Sequence, residues 1–85
     1  MRIEWGDAKN EWLKATRSIC FEQVKAEIEA GRFIGPEVNP ARLGQKRIIV
    51  CINDYPYAVP FVESADGSWF LKTAYPCRKL KGRIL

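Results

Sequence analysis

The sequence predicts an α+β domain with two N-terminal helices packed on one face of a three- to four-stranded antiparallel meander sheet. Two observations predict this class. Apolar residues recur at helical spacing within about the first 30 positions, and apolar, β-branched or alternating segments separated by turn residues follow. The chain has 85 residues, of which 47% are hydrophobic, so it has room for one domain, residues 1–85, with a small core.

The first helix is predicted over about residues 8–16. Ala8, Trp12 and Ala15 recur at i, i+4 and i+7 and would form one apolar stripe, which we expect to face the core. Asp7 is suited to be the N-cap, because its carboxylate can accept a hydrogen bond from a free backbone N–H of the first turn.

The second helix is predicted from about residues 18–20 to Ala30. Phe21, Val24 and Ile28 share one face at helical spacing, so this face is expected in the core. Gly31 follows at the position where a left-handed residue commonly ends a helix.

Turn and strand signals alternate through the rest of the chain. After a short strand at about residues 32–34, residues 35–44 form an irregular loop rich in glycine and proline. We expect a doubly covered central strand at residues 46–53 and a second strand at residues 57–63, in which Pro60 requires an edge position or a bulge. A hairpin turn at residues 65–67 and a third strand at residues 68–75 follow.

Strict alternation divides the third strand between two faces. The odd-numbered residues from Trp69 to Tyr75 have the larger apolar area and are expected under the helices. The even-numbered residues Phe70, Lys72 and Ala74 would point the other way. Lys72 would then project from a sheet face that the helices leave open.

Positive charge is concentrated at the C-terminal end. The formal net charge is +4, and the last eighteen residues contain no acidic side chain and five basic ones: Lys72, Arg78, Lys79, Lys81 and Arg83. A one-sided basic patch attracts polyanions, so nucleic acid or an acidic protein segment is the expected partner class. A solvated basic tail that only aids solubility is the alternative.

The chain contains no histidine and three widely spaced cysteines. Without histidine, Ser-His-Asp and Cys-His nucleophile systems and imidazole metal sites are excluded. The odd cysteine count is typical of a reduced, cytoplasmic protein. We expect no metal or other cofactor, because the carboxylates are scattered and no glycine-rich phosphate loop is present. No segment resembles a membrane span or a signal peptide, so no membrane partner is expected.

The remaining reactive side chains suit RNA phosphodiester cleavage, in which a ribose 2′-OH attacks the adjacent phosphorus. Arg78 and Lys79 would stabilise the charge that builds on the phosphate oxygens. Lys72 and Tyr75 would take the two complementary proton-transfer roles. The sequence therefore predicts Lys72, Tyr75, Arg78 and Lys79 as catalytic candidates.

Further RNA contacts are expected around these catalytic candidates. Phe70 offers a ring on which an unpaired base can stack, as in many complexes with single-stranded RNA. Basic residues at the start of the central strand and in the C-terminal tail would bind the phosphate backbone: Lys46, Arg47, Lys81 and Arg83.

Three strings carry a family resemblance: Ile3–Lys14, Cys20–Val24 and Phe70–Lys79. They resemble the opening, second-helix and closing motifs of the BrnT-like toxins, small proteins of type II toxin–antitoxin systems that are related in fold to the RelE ribonucleases. The match is loose between about residues 34 and 46. This chain has Ala15-Thr16-Arg17 where many members carry a histidine.

The resemblance implies a metal-independent endoribonuclease that inhibits translation by cutting RNA. It also implies a cognate antitoxin that neutralises the toxin in a hetero-oligomer. Lys72, Tyr75, Arg78 and Lys79 match the closing motif, where the family's basic active surface would lie, and Arg47 is a further candidate. Two alternatives remain open: a non-catalytic RNA-binding or protein-interaction module of the same fold, and a small structural protein with a basic tail.

Overall fold

The structure is a computed structural model and describes residues 1–84. Within these residues the chain forms three helices and a mixed six-stranded sheet, which confirms the α+β class. The helices are α1 (Asp7–Arg17), α2 (Phe21–Glu29) and α3 (Lys81–Ile84), with a 3₁₀ turn at Arg78–Leu80. The strands are β1 (Ile3–Trp5), β2 (Ile34–Val38), β3 (Lys46–Ile52), β4 (Tyr55–Glu63), β5 (Trp69–Leu71) and β6 (Tyr75–Pro76).

The sheet has the order β1-β5-β4-β3-β2, and β6 also pairs with β4. Strands β2 to β5 are antiparallel neighbours, whereas β1 runs parallel to β5 with Ile3 opposite Trp69. The sheet is therefore larger than predicted, and it is mixed rather than antiparallel throughout. Strand β1 escaped prediction because three residues are too few to show an alternating pattern.

Helix α1 turns a different face to the core from the one predicted. Ala8, Trp12 and Ala15 are all exposed, and Trp12 retains 42% of its accessible surface. The buried positions are Leu13 and the polar Asn10. The predicted stripe is wrong because the prediction relied on the spacing of two alanines and a tryptophan. It left out the single leucine and did not allow for a buried amide. The N-cap is Gly6 rather than Asp7, which is the first helical residue.

Asn10 is buried because its side chain links the two helices. Its Oδ1 accepts a hydrogen bond of 2.7 Å from the backbone N–H of Phe21, the first residue of α2. Its Nδ2 donates to Glu22 at 2.8 Å. The amide of α1 thus satisfies a free N–H at the start of α2, which fixes the angle between the helices. The predicted core face of α2 and the left-handed Gly31 at its end are confirmed.

Pro60 does not lie at a sheet edge. Strand β4 is central, with β3 on one side and both β5 and β6 on the other. The predicted third strand is interrupted opposite Pro60, since β5 ends at Leu71 and β6 begins at Tyr75. Alternation consequently fails over this gap: Ala74 packs in the helix-side core, and Tyr75 packs on the opposite face.

Apolar side chains fill both faces of the sheet. The core under α1 and α2 includes Phe21 and Phe61, both fully buried. On the opposite face, Ile49 and Ala58 are covered by Leu80 of the 3₁₀ turn, with Ile84 beside it. The C-terminal segment, whose structure the sequence left open, therefore covers part of the face that was expected to be open. Among the described helices, none is both long and apolar enough to cross a membrane.

Candidate functional site

A cleft opens where the sheet is interrupted, between the start of α1, the loop of residues 39–45 and the segment of residues 72–75. Its volume is about 370 Å³. We call it the cationic cleft, and its lining residues are Lys9, Asn39, Ala41, Arg42, Gln45, Pro60, Lys72, Thr73 and Tyr75.

The segment that carries Lys72 and Tyr75 is anchored on both sides. The backbone N–H of Lys72 donates to the Pro60 carbonyl at 2.9 Å, which continues the contact with β4 beyond the end of β5. From the helix side, the Arg17 guanidinium donates to the Ala74 carbonyl. The gap in the strand thus leaves the segment held at two points, so the cleft has a defined wall.

The opposite wall is the loop of residues 39–45, which is closed by the buried Asn39. The Asn39 Oδ1 accepts from the Ala41 N–H at 3.0 Å, and its backbone N–H donates to the Gln45 carbonyl at 3.0 Å. Its Nδ2 lies 3.4 Å from Gln45 Oε1. These bonds form a compact turn that holds Arg42 and Gln45 at the cleft.

The cleft lining has three cations and no acidic residue. Lys9, Arg42 and Lys72 form none of the ion pairs found among residues 1–84. Lys9 lies 4.1 Å from the centre of the Trp12 ring, and Lys72 lies 5.4 Å from the centre of the Phe70 ring. Unneutralised positive charge in a concave site raises the local concentration of anions.

Thr73, one of the lining residues, has a buried hydroxyl oxygen without a hydrogen-bond partner, Thr73 Oγ1. A buried polar atom without a partner costs about 1–3 kcal/mol. Such a group next to an open cleft indicates a position where a ligand can supply the missing hydrogen bond.

Of the four predicted catalytic residues, the cleft brings together two. Lys72 and Tyr75 line it, whereas Arg78 and Lys79 lie on the 3₁₀ turn, exposed and outside its lining. The predicted base-stacking residue Phe70 is 38% exposed and stands opposite Val62, which is equally exposed. Phe70 thus forms an apolar surface beside Lys72.

The other predicted RNA-binding cations have partners within the chain. Arg47 and Arg83 both donate to Glu37 at 2.8 Å, and the Arg47 side chain is only 14% exposed. These two guanidinium groups lower the pKa of Glu37 to about 2. Lys46 pairs with Glu63 at 3.3 Å, and Lys81 lies 5.2 Å from the Tyr55 ring centre. Through Glu37, Arg83 joins the C-terminal helix α3 to β2, and Arg47 joins β3 to β2.

Sequence reasoning missed Lys9, Arg42, Gln45 and Thr73 as cleft residues. Lys9 lies within residues 1–35, where six basic and six acidic side chains balance, and Arg42 and Gln45 lie in or beside a loop without a repeating pattern. The only signal was the Pro- and Gly-rich composition of that loop, which indicates irregular structure and not what it contacts.

A second cleft, of about 380 Å³, differs in its charges. Its lining includes Glu27, Arg32 and Arg83, together with the half-buried Cys51. Arg32 pairs with Glu27 at 2.7 Å, and Arg83 is bound to Glu37, so its cations are neutralised. The cationic cleft is therefore the stronger candidate for binding an anion.

Metal ligands do not converge anywhere in residues 1–84, which contain no group of three or more histidine, cysteine, aspartate or glutamate side chains placed to hold a metal ion. Comparison of the chain with protein-family models, curated proteins and solved structures gave no match.

Proposed function

We propose that this protein is a metal-independent endoribonuclease, the toxin component of a type II toxin–antitoxin system. The observation that carries the proposal is the cationic cleft, in which three unpaired cations and Tyr75 meet without an acidic neighbour. A cleft of this charge favours a phosphodiester over a neutral or cationic ligand. The two N-terminal helices on one sheet face support a RelE/BrnT-like arrangement.

In the proposed reaction the ribose 2′-oxygen attacks the adjacent phosphorus as its proton leaves. The bond to the 5′-oxygen then breaks, and that oxygen takes up a proton, so the products are a 2′,3′-cyclic phosphate and a free 5′-hydroxyl. Lys9, Arg42 and Lys72 offset the charge on the non-bridging oxygens, the effect that is usually largest in catalysis. Lys72 and Tyr75 carry the two proton transfers, since the chain has no histidine.

The proposed partner is a cognate antitoxin with an acidic segment. Lys9, Arg42 and Lys72 attract a carboxylate-rich peptide for the same reason that they attract phosphates. The exposed Phe70 lies beside Lys72, and the exposed Val62 stands opposite Phe70, so both offer apolar contacts. A segment that is disordered until it binds can cover both parts of this surface and block RNA.

The direct test is incubation of the purified chain with a 5′-labelled single-stranded RNA. We expect fragments ending in a 2′,3′-cyclic phosphate, with loss of cleavage in Lys72→Met and Tyr75→Phe. Lys14→Met is the matched control, because Lys14 is exposed on α1, outside the cleft. Intact RNA with the wild-type chain, together with unchanged growth on induced expression, would contradict the enzymatic proposal.

A second function is favoured by the position of Arg78 and Lys79. Because these two residues lie outside the cleft lining, half of the predicted catalytic set is separated from Lys72 and Tyr75. This arrangement fits a non-catalytic RNA-binding module of the same fold. RNA binding that weakens steeply with added salt, without cleavage products, would select it.

A further inference from the structure

We propose that the cationic cleft accepts a single unpaired nucleotide and distinguishes its base through Gln45 and Thr73. The inference rests on the proposed function in so far as the cleft is assigned to RNA. It goes further by naming the unit that is bound and the residues that select it.

The size of the cleft fits one nucleotide. About 370 Å³ is near the lower end of small-molecule sites. It equals the liquid volume of roughly a dozen water molecules. A base with its sugar and phosphate occupies such a space, whereas a duplex does not enter it. Sequence-selective RNA recognition commonly uses unstacked bases of this kind.

The chemistry of the lining divides into two sets. Lys9, Arg42 and Lys72 are cations suited to a phosphate. Asn39, Gln45 and Thr73 are neutral amides and a hydroxyl, which are the groups that read the edge of a base. A cleft with both sets has groups for a phosphate and groups that can hydrogen-bond a base.

Two of these neutral groups retain hydrogen-bonding capacity. Thr73 Oγ1 is buried without a partner, so a hydrogen bond to a base, made when the hydroxyl turns towards the cleft, removes an existing penalty. Gln45 Oε1 accepts from Asn39 Nδ2 at 3.4 Å, which leaves the two Gln45 amide N–H groups as donors for a ligand. Asn39 is occupied by bonds to Ala41 and Gln45, so its role is to hold the loop.

The experiment measures binding of 5′-AMP, 5′-GMP, 5′-CMP, 5′-UMP and inorganic phosphate to the full chain by calorimetry. We expect one nucleotide to bind about tenfold more tightly than the weakest of the four, which corresponds to one hydrogen bond to the base. Thr73→Val replaces only the hydroxyl, by a methyl group of similar size. It should bring the four affinities together, leave phosphate binding unchanged and not lower the unfolding temperature.

Thr16→Val is the matched control, because it deletes a threonine hydroxyl that bonds to the Trp12 carbonyl outside the cleft. Gln45→Met is a second cleft variant, so the test does not depend on the folding of one protein. Four nucleotides of equal affinity in the wild-type chain would overturn the inference. So would unchanged discrimination in both Thr73→Val and Gln45→Met.

The two proposals fail in different ways. Mononucleotide binding requires no cleavage, so base discrimination by a chain that leaves RNA intact supports this inference and contradicts the endoribonuclease. Cleavage of RNA with the same sequence preference in Thr73→Val and Gln45→Met as in the wild-type chain supports the endoribonuclease and contradicts the inference.

Discussion

Two sets of positively charged side chains lie in different surroundings. Arg47 and Arg83 lie on one part of the domain, and Lys9, Arg42 and Lys72 lie on another. The first two share the carboxylate of Glu37, with N–O distances of 2.8 Å. The other three line a cleft that contains no acid. The difference teaches that a count of basic residues does not locate a binding site, because a carboxylate brought from elsewhere in the chain can neutralise them. We call the two sets the paired cations and the cleft cations.

The largest expected effect is on catalysis by the cleft cations. Lys72→Met should lower the rate of RNA cleavage by about 100-fold or more, because one positioned proton-transfer or charge-stabilising group contributes at least that much. Initial rates on a labelled single-stranded RNA measure the effect, with the unfolding midpoint as a check on the fold. A rate equal to that of Lys14→Met would place Lys72 outside the chemistry.

For the paired cations, the substitution Glu37→Gln of their shared partner should reduce the free energy of unfolding and leave the rate of RNA cleavage unchanged. The substitution leaves the largely buried Arg47 without a carboxylate, which costs about 1–3 kcal/mol in the free energy of unfolding. Urea denaturation measures this cost. Glu63→Gln breaks an exposed pair with Lys46 and should cost at most about 1 kcal/mol. Equal losses in the two variants would show that burial does not distinguish the pairs.

The same carboxylate gives the protein a defined acid sensitivity. Arg83 and Arg47 lower the pKa of Glu37 from its usual 4.5 to about 2, so the folded chain binds this proton more weakly than the unfolded chain does. The stabilisation is therefore complete above about pH 4.5 and is lost as the pH falls towards about 2. Unfolding midpoints measured across this range should drop less steeply in Glu37→Gln. Parallel curves for the two proteins would contradict the assignment.

The sequence predicts much of the fold because several segments carry local signals that tertiary structure does not override. The hairpin at residues 65–67 forms with Gly67 at φ +87°, and the face of Phe21, Val24 and Ile28 is buried as its spacing indicates. The first helix shows the limit of periodicity. Asn10 is buried through bonds to α2, and a contact of that kind leaves no periodic trace.

The candidate site is less predictable because distant segments build it. Lys72 and Tyr75 are close in sequence and stay together, but Arg42 comes from a loop and Lys9 from a helix. The interruption of the strand at residues 72–74 creates the opening between them, and strict alternation assumes that no such gap exists. Arg47 illustrates the opposite error: its position at the start of the central strand suggested RNA binding, but Glu37 lies opposite it in β2.

Effects on RNA binding, as distinct from cleavage, should be smaller for the cleft cations that do not transfer protons. Lys9→Met and Arg42→Met should each weaken RNA binding by a few-fold and reduce the slope of log K against log salt by about 0.7, the value for one lost phosphate contact to a single strand. Titrations at several salt concentrations measure the slope. Lys14→Met should leave it unchanged, and a similar change in that variant would indicate a general effect of net charge.

The smallest expected effect tests whether an arginine of the basic C-terminal segment acts on RNA. Arg83 is 42% exposed and shares Glu37 with the less exposed Arg47, so Arg83→Met removes only one of two partners and leaves Arg47 paired. Exposed ion pairs contribute little to stability, so the loss on urea denaturation should be smaller than for Glu37→Gln. Because Arg83 lies outside the cationic cleft, the salt slope of RNA binding should match the wild-type value. A slope reduced as much as in Arg42→Met would return Arg83 to the RNA-binding surface and would mean that Arg83 exchanges the Glu37 carboxylate for a phosphate.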